Sequence, residues 1–242
     1  MLTRKSLLIH VPHASTEIPE RYRSAITLSD AALQAEHDIL TDWHMDKLFD
    51  KSIDSVVFPY SRLLCDVERY ADDSNEPMAA LGMGFCYTKT HSGEELRPYN
   101  EDERAAALRE FYTSHHEKLS QVTQKIIDEQ GFCILIDCHS YNDTVPWVAG
   151  KECPDICLGL NALRADVELA VAGLCAEFGY SFAVNEPFAG SIVPNDVDES
   201  KLFSVMLEIN KRVYGGKEVD WVKFERLQAF TDRFVQLLIC LL

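Results

Sequence analysis

The sequence has 242 residues, of which 47% are hydrophobic, and its formal net charge is −16. A chain of this size and composition can bury the core of one α/β domain, so we expect residues 1–242 to form a single domain. The negative charge argues against nucleic-acid binding, which usually needs a basic face. No stretch approaches the roughly 18 apolar residues of a membrane span. Because the N-terminus also lacks the apolar run of a signal peptide, a cytoplasmic location is expected.

The eight cysteines are expected to be reduced and mostly buried. Disulfide frameworks are typical of small secreted chains, and this chain is neither small nor marked for secretion. Cys153 and Cys157 are four residues apart, which fits neither the CxxC redox motif nor, alone, a zinc knuckle. We therefore assign no chemistry to the cysteines.

The first element in the chain is a predicted buried strand over residues 6–11, with the sequence SLLIHV. Pro12 ends the strand because it cannot continue the hydrogen-bonded ladder. His10 alternates within the strand and is expected to be packed. His13 follows the proline, which makes it the better candidate for a metal ligand.

A helix is predicted from Leu28 to Phe49, with Ser29 and Asp30 as possible caps. Asp38, Asp42 and Asp46 follow at intervals of four, so one face of this helix would carry three carboxylates. That face is either a solvated acidic surface or the source of a carboxylate that turns toward a cation. The spacing alone does not decide between the three residues.

The segment 55–70 begins as a strand and then carries Arg62, Asp66 and Arg69 within eight residues. Two guanidiniums near a strand end suit a substrate carboxylate, because each can bind it in a bidentate manner. Arg62 with Asp66 fits a structural ion pair equally well. Residues 71–102 predict a long ordered loop or hairpin that covers a site. An amphipathic helix over 101–129 follows.

Residues 132–141, with the sequence FCILIDCHSY, predict a buried strand over 132–136 that ends on polar chemistry. Ligands of open α/β sheets lie beyond the carboxyl ends of the strands. Asp137 and His139 are two residues apart, so both side chains point to the same side of an extended chain. They form a metal or catalytic pair, or His139 satisfies a buried carbonyl group.

The C-terminal part predicts strands over 155–160, 180–185 and 205–210 and helices over 164–178 and 226–242. Glu208 lies inside the last apolar strand, where an isolated carboxylate is costly unless it is paired or functional. Asn185 precedes a loop rich in proline and glycine, where it forms either a pocket wall or a turn.

Six segments resemble the N-formylglutamate amidohydrolase family, in the same order, over about residues 7–215. They are HVPHAS at 10–15, TDWHMDKLF at 41–49, SRLLCDVER at 61–69, LIDCHS at 135–140, NEPFAGSIVP at 185–194 and MLEINKRVY at 206–214. The resemblance implies a phosphorylase/hydrolase-like α/β fold: one mixed, mostly parallel sheet with helices on both faces, similar to zinc carboxypeptidases and aspartoacylases. It also implies a zinc-dependent amidohydrolase that carries one Zn²⁺, although the same ligands accept other divalent metals.

The resemblance implies a role for each matched residue. The metal ligands would be His13, Asp42 and His139. Glu208 would be the general base, with Asp137 and Asp46 supporting the ligands. Arg69 would anchor a substrate carboxylate, Arg62 would bind a second carboxylate or the oxyanion, and Asn185 would contact the substrate. Ser140 is expected to be a loop residue and not a nucleophile.

Two departures from the family pattern bear on the substrate. Glu68 stands where the family usually has Asn, which adds a negative charge beside Arg69, and PHAS stands for the usual PHSG. The expected reaction is hydrolysis of N-formyl-L-glutamate, or of a related small carboxylated N-acyl amino acid, to formate or another carboxylate and the amino acid. A zinc peptidase or deacylase and a non-catalytic binding protein for carboxylated ligands are the alternatives. The oligomeric state is not predicted.

Overall fold

The computed structural model describes all 242 residues and contains one six-stranded sheet. The strands are β1 Leu7–Val11, β2 Asp54–Val57, β3 Cys133–Tyr141, β4 Ile156–Leu160, β5 Phe182–Val184 and β6 Leu202–Asn210. Their order across the sheet is β2-β1-β3-β6-β4-β5. All neighbours are parallel except β4 and β6, which are antiparallel. The predicted mixed, mostly parallel α/β sheet is confirmed.

Helices connect these strands and cover the sheet. They are α1 Glu20–Arg23, α2 Asp30–Leu40, α3 Glu101–Ala107, α4 Ser114–Gln130, α5 Ala165–Phe178 and α6 Trp221–Leu241. A π-helical stretch over Leu108–Thr113 joins α3 to α4, so the predicted helix over 101–129 is one continuous rod. Short 3₁₀ segments are Arg4–Ser6, Met45–Lys47, Pro77–Leu81, Pro146–Val148, Glu199–Lys201 and Lys211–Val213. Gly131 and Gly179 end α4 and α5 with positive φ, the conformation that glycine adopts most easily.

One face of the sheet is apolar along its whole length. Alternate residues of the central strands, such as Ile9, Ile136 and Leu207, point to this face and are almost fully buried. They form one large core with α5 and α6. This face mainly stabilises the fold; an exception is Ser140 at the end of β3, which donates to Asp42 at 3.2 Å.

The opposite face changes from apolar to polar along the strands. At one end Leu8 and Leu135 pack against α4. Two residues further along, His10 pairs with Asp137 in register, and beyond them His139 pairs with Glu208. Because side chains alternate with a period of two, the same face that binds α4 presents these four polar groups near the carboxyl ends of β1, β3 and β6.

Three predicted boundaries are wrong in instructive ways. The helix predicted to reach Phe49 ends at Leu40, because Thr41 is extended and the Asp42 amide donates to the carbonyl of His13 at 2.9 Å. Asp38, Asp42 and Asp46 therefore do not share a helix face. β3 continues to Tyr141, since β6 pairs with it to that point, so Asp137 and His139 lie within the strand. Helix α6 begins at Trp221, five residues earlier than predicted, after its cap Asp220.

Residues 71–100 contain one 3₁₀ segment and a single bridge between Lys89 and Glu95, so the predicted long ordered loop is confirmed. All eight cysteines are free. None of the helices is both long and apolar enough to cross a membrane.

Candidate metal and active site

Three predicted ligands come together from three separate parts of the chain. His13 follows β1, Asp42 lies in the turn after α2, and His139 lies near the end of β3. All three residues are buried, and their ligand atoms lie within 4.8 Å of one another. The Oδ2 atom of Asp42 is 3.6 Å from Nδ1 of His13 and 3.3 Å from Nδ1 of His139.

Carboxylates hold the other nitrogen of each imidazole. Nε2 of His13 lies 2.8 Å from Oδ1 of Asp66, and Nε2 of His139 lies 3.0 Å from Oδ1 of Asp137. With Nε2–H donating to a carboxylate, Nδ1 keeps its lone pair, which is the arrangement of metal-ligating histidines. Nδ1 of His13 is buried and has no hydrogen-bond partner. These residues therefore fit a metal ion, which would satisfy that nitrogen.

The charges around the ligands also favour a cation. Burial raises the pKa of Asp42, but His13 and His139 outweigh it and hold that pKa well below its usual range. Burial lowers the pKa of His139, whereas Asp137 and Asp42 raise it well above the ordinary value. Binding a metal through Nδ1 requires the neutral form of His139, so metal binding competes with protonation of this ring.

Glu208 lies beside this cluster on β6, directly opposite His139 in the strand register. It is only 6% exposed and lines the same cavity as the three ligands. Burial raises the pKa of Glu208 to about 8, with Asp42 adding to the increase and His139 opposing it. A carboxylate poised near neutral pH can accept and return a proton, as a general base does.

The cavity over these residues has a volume of about 610 Å³. Three cationic side chains line it: Arg62, Arg69 and Lys151. Arg62 donates twice to Oδ2 of Asp66, at 3.1 and 2.7 Å, so the ion pair expected from the sequence exists even though Arg62 also borders the cavity. Arg69 is freer, because its Nε is buried without a hydrogen-bond partner.

Two predicted residues lie away from the cavity. Asn185, at φ 56°, accepts from the amides of Leu160 and Gly190 and donates to the carbonyl of Leu160, so its side chain holds a turn. Asp46 is exposed on the 3₁₀ segment Met45–Lys47, where it contacts none of the three ligands. Asp137, in contrast, contacts His139 directly. Ser140 is a strand residue and not a loop residue, and it donates to Asp42 at 3.2 Å.

Sequence reasoning missed two members of the site. Asp66 was considered only as a partner of Arg62, yet it also orients His13 from 53 positions away in the chain. The signal available was a carboxylate that closely follows a predicted strand, next to two arginines. Lys151 lies in a loop without a distinctive pattern, and no local signal pointed to it.

A second polar cluster lies next to the first on the same face of the sheet. Nδ1 of His10 is 2.9 Å from Oδ1 of Asp137 and 3.1 Å from Oε1 of Glu68, and its Nε2 is 2.8 Å from Nε2 of His115. Burial lowers the pKa of His10, but Asp137 and Glu68 outweigh it and raise that pKa to about 9. His10 is buried as predicted, although its polar partners were not foreseen.

Comparison of the sequence with protein families identifies the family of the chain. A family model described as N-formylglutamate amidohydrolase matches residues 5–215. The chain therefore belongs to the N-formylglutamate amidohydrolase family. The resemblance inferred from the six sequence segments is thereby confirmed.

Two bacterial relatives of the chain are named after the same compound, N-formylglutamate. The chain is 30% identical to N-formylglutamate deformylases of Pseudomonas putida and Pseudomonas aeruginosa, over 227 and 230 residues. Both alignments cover 87% of this chain and 82% of the relative.

Solved structures of this family and of a further bacterial protein share the fold. An N-formylglutamate amidohydrolase from Ralstonia eutropha JMP134 has a TM-score of 0.81 at 16% identity, covering 96% of this chain and 93% of its own. A gene product from Agrobacterium tumefaciens has a TM-score of 0.72 at 18% identity, covering 96% and 90%. At these identities the likeness establishes the fold.

Proposed function

We propose that the protein is a metal-dependent amidohydrolase that cleaves N-formyl-L-glutamate to formate and glutamate. The observation that carries this proposal is the unpaired, buried Nδ1 of His13 beside Asp42 and His139, with Glu208 on the same cavity. Family membership supplies the reaction class. The names of the two Pseudomonas relatives supply the default substrate.

His13, Asp42 and His139 would hold one Zn²⁺. Two imidazoles and one carboxylate that leave a position open are a typical set for catalytic zinc, although other divalent metals bind similar sets. When bound, zinc polarises the amide carbonyl and lowers the pKa of water to about 7. Asp66 and Asp137 fix the tautomers of the two histidines, so both rings keep their Nδ1 lone pair for the metal.

Glu208 moves the proton in this proposal. As the carboxylate it accepts a proton from the attacking water, and as the carboxylic acid it gives that proton to the departing nitrogen of glutamate. Its burial makes both forms accessible near neutral pH, because the raised pKa brings ionisation close to the working range. The net reaction consumes one water and leaves Glu208 unchanged.

The cationic residues of the cavity would recognise the substrate carboxylates. Arg69 is the main anchor, since its buried Nε lacks a hydrogen-bond partner and its nearest carboxylate, Asp66, is 3.7 Å away; Arg62 is the second. Lys151 borders the same cavity and can serve the more distant carboxylate. Glu68 also lines this cavity and adds a negative charge beside Arg69, so another N-acyl amino acid with a single carboxylate is the second candidate substrate.

A formate-release assay with N-formyl-L-glutamate, coupled to metal analysis of the purified protein, tests the proposal. We expect stoichiometric metal, loss of activity with a chelator, and recovery on adding Zn²⁺. Hydrolysis that persists without metal would exclude the metal mechanism. A panel of N-formyl, N-acetyl and N-succinyl amino acids separates the two substrate candidates. Ligand binding without turnover of any of them would favour a binding protein.

A small carboxylated N-acyl amino acid is thus the proposed partner, and the cytoplasm is the proposed location. The eight free cysteines support a reducing compartment. Labelling of intact cells and cell fractions with an antibody against the protein would test the location.

A further inference from the structure

The His10 cluster has the composition of a second metal site. His10, Glu68 and Asp137 offer one imidazole and two carboxylates, and their ligand atoms lie within 4.8 Å of one another. His10 and Asp137 are almost completely buried, and Glu68 is largely buried. Only the residues of the first cluster form another such group in the chain.

The orientation of His10 matches that of the two histidines in the first cluster. In His13 and His139, Nε2 is held by a protein group while Nδ1 faces the other ligands. In His10, Nε2 is held at 2.8 Å by Nε2 of His115, and Nδ1 faces the two carboxylates. A neutral His10 with its proton on Nε2 would donate to His115 and leave Nδ1 free to bind a cation.

A proton on Nδ1 of His10 leaves one carboxylate oxygen of this cluster without a hydrogen bond. An N–H group donates mainly along one direction, and a proton on Nδ1 of His10 is donated to Oδ1 of Asp137 at 2.9 Å. Oε1 of Glu68 is 3.1 Å from the same nitrogen, yet it has no hydrogen-bond partner. A divalent cation, in contrast, binds the nitrogen and both carboxylates at once. An unpaired buried carboxylate oxygen is costly, which favours an ion at this position.

An entry path to the cluster exists on one side. A cavity of about 560 Å³ is lined by Glu68 and Asp137 of the cluster and by His116. It adjoins the first cavity, with which it shares Glu68, Arg69, Ala189 and Met206 in its lining. An ion and its water ligands can therefore reach the cluster without passing His13.

We propose that His10, Glu68 and Asp137 form a second divalent-cation site that opens on this second cavity. Its ligands contain more oxygen than the first set, so Mn²⁺ suits it as well as Zn²⁺. Asp137 and the ring of His139 lie between the two sites, because Oδ1 of Asp137 contacts both His10 and His139. The second ion would position Asp137, and through it His139. The proposal does not depend on which substrate the enzyme hydrolyses.

Metal counting tests the second site. The purified protein is stripped with a chelator, loaded with Zn²⁺ or Mn²⁺, desalted and analysed for metal per chain. We expect two ions for the wild type, one for Glu68→Gln and one for His13→Gln, the last without activity. Glu76→Gln removes a buried carboxylate that binds only backbone amides and Arg69, so it should retain two ions.

Location completes the test. Anomalous diffraction from crystals of the loaded wild-type protein should give one peak at His13 and a second at His10, and it needs no variant to fold. Thermal unfolding checks that each variant used for counting is folded. A single ion per chain with both metals, or two ions in Glu68→Gln, would overturn the proposal. Wild-type protein that binds two ions but does not hydrolyse N-formyl-L-glutamate would contradict the proposed function without contradicting the second metal site.

Discussion

Replacing Glu208 by Gln tests separately the role of this residue in catalysis and its effect on the stability of the folded protein. Glutamine has nearly the same shape but can neither ionise nor accept a proton. If Glu208 is the general base, kcat should fall by about 10²- to 10⁴-fold. The metal content should not change, since Glu208 is not among the metal ligands. Formate release and metal analysis on the same sample measure both quantities.

The same substitution should stabilise the metal-free protein at alkaline pH. Burial raises the pKa of Glu208 from 4.5 to about 8. Between these values the unfolded chain has lost the proton while the folded chain keeps it, so wild-type stability falls as pH rises through this window. A pKa difference of one unit corresponds to about 1.4 kcal/mol, so the free energy of unfolding of the wild type falls by roughly 4–5 kcal/mol across this window. Glutamine does not titrate, so the variant does not lose this stability.

Urea unfolding of both proteins with a chelator, at pH 5 and pH 8.5, measures this difference. Other titrating groups are common to both proteins, so their contributions largely cancel. The free energy of unfolding of the variant minus that of the wild type should be several kcal/mol larger at pH 8.5 than at pH 5. Glu76→Gln is the matched control, because it removes another buried carboxylate, which accepts two backbone hydrogen bonds and lies outside the Glu208 cluster. A pH-independent difference for Glu208→Gln would refute the reasoning.

Three further substitutions test other parts of the site. Asp66→Asn should weaken metal binding about 10- to 100-fold, measured by competition with a chromophoric chelator, because His13 loses its charged partner; unchanged affinity would mean that Asp66 does not orient His13. Arg69→Ala should raise KM for N-formyl-L-glutamate much more than it lowers kcat, since its guanidinium, whose Nε lacks a hydrogen-bond partner, is the proposed anchor. Kinetics with a substrate amidated at its carboxylates should show little effect. Asn185→Ala should lower stability by about 1–3 kcal/mol, because it removes the turn's hydrogen bonds at a positive φ. The Asn185→Ala substitution should leave KM nearly unchanged, and a large rise in KM would indicate that Asn185 contacts the substrate.

Local patterns in the sequence were enough to locate most elements. The strands β1 and β4 and the helix α5 match the predicted ranges within one residue at each end. The strands follow from short apolar runs, and Pro12 and Gly179, which end β1 and α5, act over a few residues only. The strand order and the antiparallel pairing of β4 with β6 depend on distant segments, so no local pattern revealed them.

The helix predicted from Leu28 to Phe49 failed for a reason that matters to the site. Its hydrophobic spacing continues past Leu40, yet the chain leaves the helix there. The Asp42 amide bonds to the carbonyl of His13, and His44 adopts a left-handed conformation at φ 66°. Tertiary contacts thus override local preference in the turn that carries the proposed metal ligand Asp42. Functional turns are where such conflicts are expected.

The unpaired polar atoms of the fold point to the same region as the motifs. Across the whole chain three buried side-chain nitrogen or oxygen atoms lack a hydrogen-bond partner: Nδ1 of His13, Oε1 of Glu68 and Nε of Arg69. Each such atom costs about 1–3 kcal/mol, so a fold selected for stability alone would not collect them in one place. A nitrogen lone pair and a carboxylate oxygen bind cations, whereas a guanidinium N–H donates a hydrogen bond to an anion. The three atoms therefore match the ligands proposed above: a metal at His13, a second ion at Glu68 and a substrate carboxylate at Arg69.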